Sequence, residues 1–322
     1  MRTNPRKRLS PAVVNRVVLI DEALRQFGSR VFYYSPKHIR SLSDRVPGYE
    51  IEGDQFVATT ARVPLVNGNW TYNTRRLLNQ GMGYQQFMDL ADTGRISIYV
   101  PLAFSELVAN KYEAYRLVRS FSDDLQPHTE LYRQSASQLT HFLDRGGLVF
   151  IKPRAGNKGD GIITLRHNAS GLKLSHYGGG DRQLEKLKNV AAAQARIREL
   201  TQNSRRFVIQ HGVETLLHED SVFDLRVVMI YDGSTWSWTH EARCSARGSE
   251  LSNVSQGGSC MLTADLLHAL LGRDSGDRVL EALRSESFAL AIFLERLHPG
   301  DLMEIAFDFV LDRSESLRLV EI

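Results

Sequence analysis

MEIAFDFVLDRSESLRLVEI, residues 303–322, reads as two strands around a polar turn: Met303 to Leu311 and Leu317 to Ile322 are apolar runs separated by Arg313-Ser314-Glu315-Ser316. A four-residue turn sets Asp312 opposite Leu317 and, counting back, Asp308 opposite Glu321. The two carboxylates then share one face, with Cβ atoms roughly 5 Å apart. Like charges so placed on a half-buried sheet are unfavourable unless something cationic stands between them, and a hard divalent ion is the natural candidate.

The chain around this hairpin has 322 residues, 42% hydrophobic and 24% charged, the composition of an ordinary globular protein with room for two or three units. Forty Lys and Arg stand against 37 Asp and Glu, so the net charge of +3 argues for no specific nucleic-acid partner. Cys244 and Cys260 are too few for a disulfide framework or a cysteine-rich zinc site, which fits a reducing compartment. No apolar run reaches the roughly 20 residues of a membrane span, and no uninterrupted apolar segment follows the basic start. A cytoplasmic protein with no membrane partner is expected.

Upstream, Pro11 to Phe27 has apolar residues at helical spacing and ends at Gly28. A short strand in SRVFYYSP (29–36), two strands joined through Gly53-Asp54 and the strand ISIYV (96–100) complete an α/β unit ending near Pro101. Helical patterns run from Ser105 to Val118 and, after Pro127, to about Asp144. GGLVFIKP (146–153) is a buried strand entering a Gly-rich loop. Strand ITLRH (163–167), a loop holding Gly178-Gly179-Gly180, a long helix through Leu200 and strand RFVIQHGV (206–213) follow. Then come strands FDLRVVMIY (223–231) and TWSWTHEARC (235–244), helices over 263–271 and 277–297, and the closing hairpin.

Several of these stretches carry chemistry. In FIKPRAGNKGDGI (150–162), Lys152 at a strand end precedes a loop with Gly156, Lys158, Gly159 and Gly161; ammonium charge beside glycines that let backbone N–H groups approach suits polyphosphate. Its spacing is not GxxxxGK[ST], and GMGYQQF (81–87) lacks the third glycine of a dinucleotide fingerprint, so neither a Walker loop nor a Rossmann site is supported. In FDLRVVMI, alternation puts Asp224 and Arg226 on one strand face, as a cleft lining requires. EARCSARGSELSNVSQGGS (241–259) adds Asn253 and, in Arg243 and Arg247, guanidiniums suited to phosphate or carboxylate. The histidines show no metal-ligand spacing, and RIREL and EKLKNV read as a solvated helix face.

Lysine with Gly-rich loop, Asp-x-Arg, Arg with Asn-x-x-Gly-Gly, then facing Asp and Glu: in this order the chain resembles the ATP-grasp superfamily over about 105–322. It looks like the carboxylate–amine ligase branch, and most like the YheC/YheD-type group, echoed by TYNTRRLL (71–78) and NKYEAYRLV (110–118). The resemblance implies an α/β and α+β multidomain chain, an ATP-grasp fold behind an N-terminal α/β, pre-ATP-grasp-like domain. Its divisions would be a substrate-side domain at 1–104, a lid subdomain at 105–212 and a metal-binding subdomain at 213–322. ATP and Mg²⁺ (or Mn²⁺) are the implied cofactors. Lys111 and Lys152 would meet the phosphates, with Lys152 leading into the lid of Gly156, Lys158, Gly159 and Gly161. Gln210, His211 and Gly212 form the hinge strand for adenine, with Gly212 allowing close approach, and Asp224 would reach the ribose. Arg243, with Arg226 and Lys152, would serve the acyl phosphate, Ser252 and Asn253 the phosphate-side loop, and Asp308 and Glu321 the metal.

The implied reaction joins a carboxylate-bearing small molecule or peptide to an amine through an acyl phosphate, with Tyr72, Asn73, Arg75 and Arg76 shaping the substrate side. A nucleotide-binding assembly protein without turnover and an ATP-grasp kinase are the alternatives, and a homodimer is left open. The sequence departs from the family in two places. An asparagine usually follows two positions after the glutamate, where the given sequence stops at Ile322, so more chain is expected there; and Leu251 stands where glutamate ligases carry arginine.

Overall fold

The structure, a computed structural model, describes residues 11–26, 28–53, 55–64, 66–67, 78–93, 95, 97–98, 102–156, 159–168, 171–178, 181–202, 206–246, 249, 251, 258–298 and 302–322. Tyr72, Asn73, Arg75, Arg76, Lys158, Ser252 and Asn253 lie outside them. The chain divides into two compact units, Met1–Leu102 and Ala103–Ile322.

In the first unit, helix α1 (Pro11–Arg25) precedes β1 (Phe32–Tyr34), β2 (Arg45–Glu52) and β3 (Gln55–Arg62), an antiparallel sheet in the order β1-β2-β3. A short parallel pair, β4 (Val66–Asn67) with β5 (Ser97–Ile98), brackets helix α2 (Tyr84–Asp92). Ile39, Val46, Val63, Leu78 and Phe87 form one core, and Val17, Ile51 and Phe56 a second. Buried Asp21 is neutralised by Arg25 one helical turn on, at 2.7 Å, and accepts from Val31 N–H at 2.8 Å.

The second unit opens with α3 (Leu102–Ala109) and α4 (Lys111–Phe121). The apolar periodicity predicts one helix across this stretch, but Asn110 leaves the helical region at φ −90°, ψ 100°, and its side chain accepts from Tyr112 N–H as an N-cap. The break makes Lys111 the first residue of α4 and aims the next turns, through Ala114, Tyr115 and Val118, at the core.

Strands β6 (Thr129–Leu131), β7 (Leu148–Pro153), β8 (Ile163–Asn168), β9 (Gly171–Gly178), β10 (Asp181–Leu187) and β11 (Phe207–His211) form a six-stranded sheet in the order β10-β9-β8-β7-β11-β6. Helices α5 (Ala136–Gly146) and α6 (Val190–Leu200) cover one face, packing Leu139, Phe142, Ala193 and Ile197 on Val149, Ile151, Leu165 and Ile209. The long helix expected up to Leu200 is corrected: residues 181–187 pair with β9 along their whole length, and the helix starts only after the Asn189 cap. The charges of DRQLEKL belong to an edge strand, where they discourage edge-to-edge pairing.

The last sheet comprises β13 (Ser221–Tyr231), β14 (Trp236–Cys244), β15 (Ser259–Met261), β16 (Glu304–Leu311) and β17 (Leu317–Glu321), in the order β15-β14-β13-β16-β17, with the two-residue β12 (Leu217–His218) pairing β13. Helices α7 (Thr263–Leu271) and α8 (Arg273–Leu297) pack together, and α8 lies against β13, β14 and β17.

The final hairpin is formed, with a different register at its turn. Leu311, not Asp312, faces Leu317, so the turn holds five residues; a β-bulge between Asp308 and Phe309 then skips Val320 and restores the pair Asp308↔Glu321. Asp312 is what lengthens the turn: its Oδ1 accepts from Ser314 N–H and Ser316 N–H, both at 2.9 Å.

Candidate nucleotide site and its charged neighbour

Antiparallel pairing sets Val208 against Lys152 and Gln210 against Phe150, so these four side chains share the sheet face away from α5 and α6. Lys152 Nζ donates to Gln210 Oε1 at 2.6 Å and lies 5.2 Å from the Phe150 ring centre, and Gln210 Nε2 donates to Thr129 Oγ1 at 2.9 Å. Burial, and secondly Lys111, push the Lys152 ammonium down to about 8. Across from it, Lys111 Nζ pairs with Glu321 Oε1 at 2.8 Å and donates to the Gly156 carbonyl at 3.1 Å. The entry to the Gly-rich loop is tied to the same helix start, since Lys111 N–H donates to Arg154 O at 2.8 Å. Gly156, Gly159 and Gly161 have φ of 144°, 74° and 73°, conformations that only glycine adopts without strain.

Lys111, Lys152, Gln210, Thr129, Val320 and Glu321 line one cavity of about 20 Å³, room for about one water. The bulge explains why the adjacent residues Val320 and Glu321 both face it.

The side-chain surroundings of the other two hinge residues belong to the protein's own packing. Strand alternation turns the His211 side chain to the opposite face from Gln210, where its ring stacks on Phe142 at 4.4 Å and its buried Nε2 has no hydrogen-bond partner among the described residues. Burial first, then His128, lowers its affinity for a proton. Gly212 is required by the protein's own packing: a Cβ there would overlap the Leu148 side chain. Gly212→Ala is therefore expected to destabilise the protein by about 1–3 kcal/mol. Leu148→Ala in the same chain should recover part of that loss in chemical denaturation; a melt indistinguishable from wild type for Gly212→Ala alone would refute the overlap. A wider cleft of about 760 Å³ lies by the His211 side of the hinge, but its Arg119, Arg313 and Arg318 pair with Asp123, Glu214 and Asp312, and neither lysine of the first cavity lines it.

Beside the cavity, the second sheet gathers four charges on one face. Asp224↔Arg243 and Arg226↔Asp308 are direct cross-strand pairs on either side of β13. Arg243 Nε and Nη2 donate to the two oxygens of Asp224 at 2.6 and 2.7 Å, and Nη2 also reaches Asp308 Oδ2 at 2.8 Å. Arg226 Nε and Nη2 fork Asp308 at 2.7 Å each. Burial works against the Arg243 charge, yet the hydrogen bonds and charges of Asp224 and Asp308 outweigh it and raise its proton affinity above that of an ordinary guanidinium. The cation that the facing carboxylates call for is thus supplied by the chain itself: two arginines for Asp308 and Lys111 for Glu321. A bound metal ion is not needed to hold the two acids on one face, which corrects that step of the sequence argument.

Thr129 has no signal in the sequence: only the β6–β11 pairing brings it to Gln210. Asn110 before Lys111 is a local capping signal at a helix start, and the structure has it as the N-cap.

A family model described as YheC/D like ATP-grasp matches residues 102–322. The chain belongs to the YheC/D-like ATP-grasp family. Among solved structures, D-alanyl-alanine synthetase A from Vibrio cholerae is similar at TM-score 0.50 and 10% identity, covering 91% of this chain and 73% of that one. N5-carboxyaminoimidazole synthase from Aspergillus clavatus gives TM-score 0.46 at 10% identity, covering 77% of this chain and 55% of its own. A RiPP-associated ATP-grasp ligase from Chryseobacterium gregarium gives TM-score 0.43 at 11% identity, with 94% and 83% covered. No curated protein matches the sequence. At 10% identity the likeness to the Vibrio cholerae structure shows a shared fold and nothing finer. No helix among the described residues is long and apolar enough to cross a membrane.

Proposed function

We propose that this ATP-grasp protein is an ATP-dependent carboxylate–amine ligase. The observation that carries the reading is the convergence of Lys111, Lys152, Gln210 and Glu321, from four separate elements, on one cavity between the two sheets of the second unit. Lys111 and Lys152 would hold the nucleotide phosphates, with Gln210 and the backbone after it meeting the base. The Gly156–Gly161 loop, with Lys158 in it, would cover the phosphates, and Ser252 and Asn253 would bind on the phosphate side. The cavity holds about one water, so the Lys111–Glu321 and Lys152–Gln210 pairs would have to part on nucleotide entry. Each lysine would exchange its present partner for phosphate oxygen.

A divalent cation would screen the phosphate charge when bound. A carboxylate has about four acceptor positions; three on Asp308 meet guanidinium N–H groups, leaving one on Oδ1, while only one Glu321 oxygen is in contact with Lys111. Among the described residues, no cluster of three or more His, Cys, Asp or Glu forms a closed metal site. Two carboxylates with spare oxygen positions fit Mg²⁺ or Mn²⁺ shared with phosphates and water. Asp308 and Glu321 would be its protein ligands.

In the proposed reaction a substrate carboxylate oxygen attacks the γ-phosphorus, the bond to the β–γ bridging oxygen breaks and ADP leaves. An amine then attacks the acyl carbon, releases phosphate and loses a proton to give the amide. Arg243 and Arg226 would steady the anionic acyl phosphate, with Lys152 on the transferred phosphoryl group; none is a nucleophile. The test is to incubate the protein with Mg–ATP and amino-acid or peptide pools, following ADP release and new amide masses. Amide formed with ADP supports the ligase. ATP binding without ADP release on any pool would favour a nucleotide-binding assembly protein, and a phosphorylated product without amide a kinase.

A further inference from the structure

The resemblance assigns Asp224 to the ribose, and its surroundings point elsewhere. Its side chain is 4% exposed and both oxygens sit in the Arg243 fork. A guanidinium has five N–H donors. On Arg243 one Nε–H and two Nη2–H groups are committed to Asp224 and Asp308, and Nη1 meets no acceptor among the described residues. The Arg243 side chain is 13% exposed, so only a small part of it is open to a ligand. The fork fixes the plane of the guanidinium and therefore where Nη1 points. A lone hydrogen bond from Arg243 to Asp308 would leave the plane free to turn, and Asp308 is already held by Arg226.

We propose that Asp224 is a positioning residue that holds Arg243 so that its Nη1 edge presents two N–H donors to the transferred phosphoryl group, rather than a ligand of the ribose. This rests on the nucleotide-site reading above. Asp224 also balances charge: with it the four groups sum to zero, and without it two arginines would share one carboxylate. In that case Arg243 would turn wholly toward Asp308 and withdraw the Nη1 edge.

The test uses Mg–ADP, then inorganic phosphate added to the Mg–ADP complex, in titration calorimetry on wild type, Asp224→Asn, Arg243→Ala and the double variant. Positioning predicts that Asp224→Asn leaves ADP affinity within about twofold but weakens phosphate binding about 10- to 100-fold, the range for a lost charge-assisted hydrogen bond. Arg243→Ala should lose as much, and the double variant no more than Arg243→Ala alone, because both changes remove one interaction. The double variant also guards against loss of fold, since it leaves no member of the Asp224–Arg243 pair unpartnered. Weaker ADP binding in Asp224→Asn with phosphate binding intact would return Asp224 to the ribose and overturn the proposal. Multiplying losses in the double variant, or no phosphate binding by the wild-type ADP complex, would overturn it too. Failure of wild type to bind ADP at all is a separate result, which removes the nucleotide reading itself.

Discussion

Lys152→Met is expected to lower ADP affinity about 30-fold or more while leaving the protein folded. The magnitude is that of removing one partner of a desolvated, charge-assisted contact, about 2–5 kcal/mol. The fold should survive because the free protein gains little from this charge. Burial first, and the neighbouring Lys111 second, hold the ammonium down to about 8, against an ordinary lysine near 10.5. Between those two values the unfolded chain binds more protons than the folded one, so this group makes stability rise with pH there, and its full penalty is present at pH 7. Methionine removes the penalty, at the loss of the hydrogen bond to Gln210. The same shift gives a second readout. Phosphate oxygens favour the charged lysine, so ADP binding near pH 8.5 should take up a proton, seen as calorimetric heats that depend on the buffer's ionisation enthalpy; in Lys152→Met the uptake should vanish. ADP affinity unchanged by the substitution would place the nucleotide elsewhere.

Asp308→Ala should destabilise the second unit by about 3 kcal/mol, the lower end of the range for breaking a buried ion pair. The lower end applies because Arg226, one of the two partners, has 37% of its side chain exposed. In a domain of this size that lowers the melting temperature by roughly 6–12 °C. The cause is the pair of guanidiniums that Asp308 holds, Arg226 at 2.7 Å and Arg243 at 2.8 Å, which would lose their shared counter-charge. From the sequence, Asp308→Asn is expected to remove turnover without loss of fold. Alanine removes the shape and both acceptor oxygens as well as the charge, while Asp308→Asn keeps the shape and one acceptor oxygen and should cost less. Thermal melts of the two variants beside wild type decide it, and an alanine variant melting with wild type would show that the arginines find other partners.

Much of the site could be read along the chain, because it sits on strands whose period is two. Asp224 and Arg226 two residues apart had to share a face, and Lys152 at the end of an apolar run had to stand at a strand terminus. The strand over 181–187 could not be read: its charges fit an exposed helix as well as an edge strand, and only pairing with β9 decides between them. His211 follows Gln210 directly, and its ring takes the opposite face because neighbouring strand residues alternate. Gly212 reads as a position of close approach, and the atom that excludes a side chain there belongs to Leu148, 64 positions earlier.

By itself, then, the sequence determined the closing hairpin, most of the longer strands and the order of the phosphate-type residues, since these follow from local alternation; the pairing of Asp308 with Glu321 also needs the bulge that offsets a turn one residue longer than expected. Tertiary structure alone decided which cation answers each acid. Lys111 meets Glu321 across 210 residues and Arg226 meets Asp308 across 82. Coulomb attraction and hydrogen bonding depend on distance through space, and no spacing along the chain records that distance until the sheets have formed.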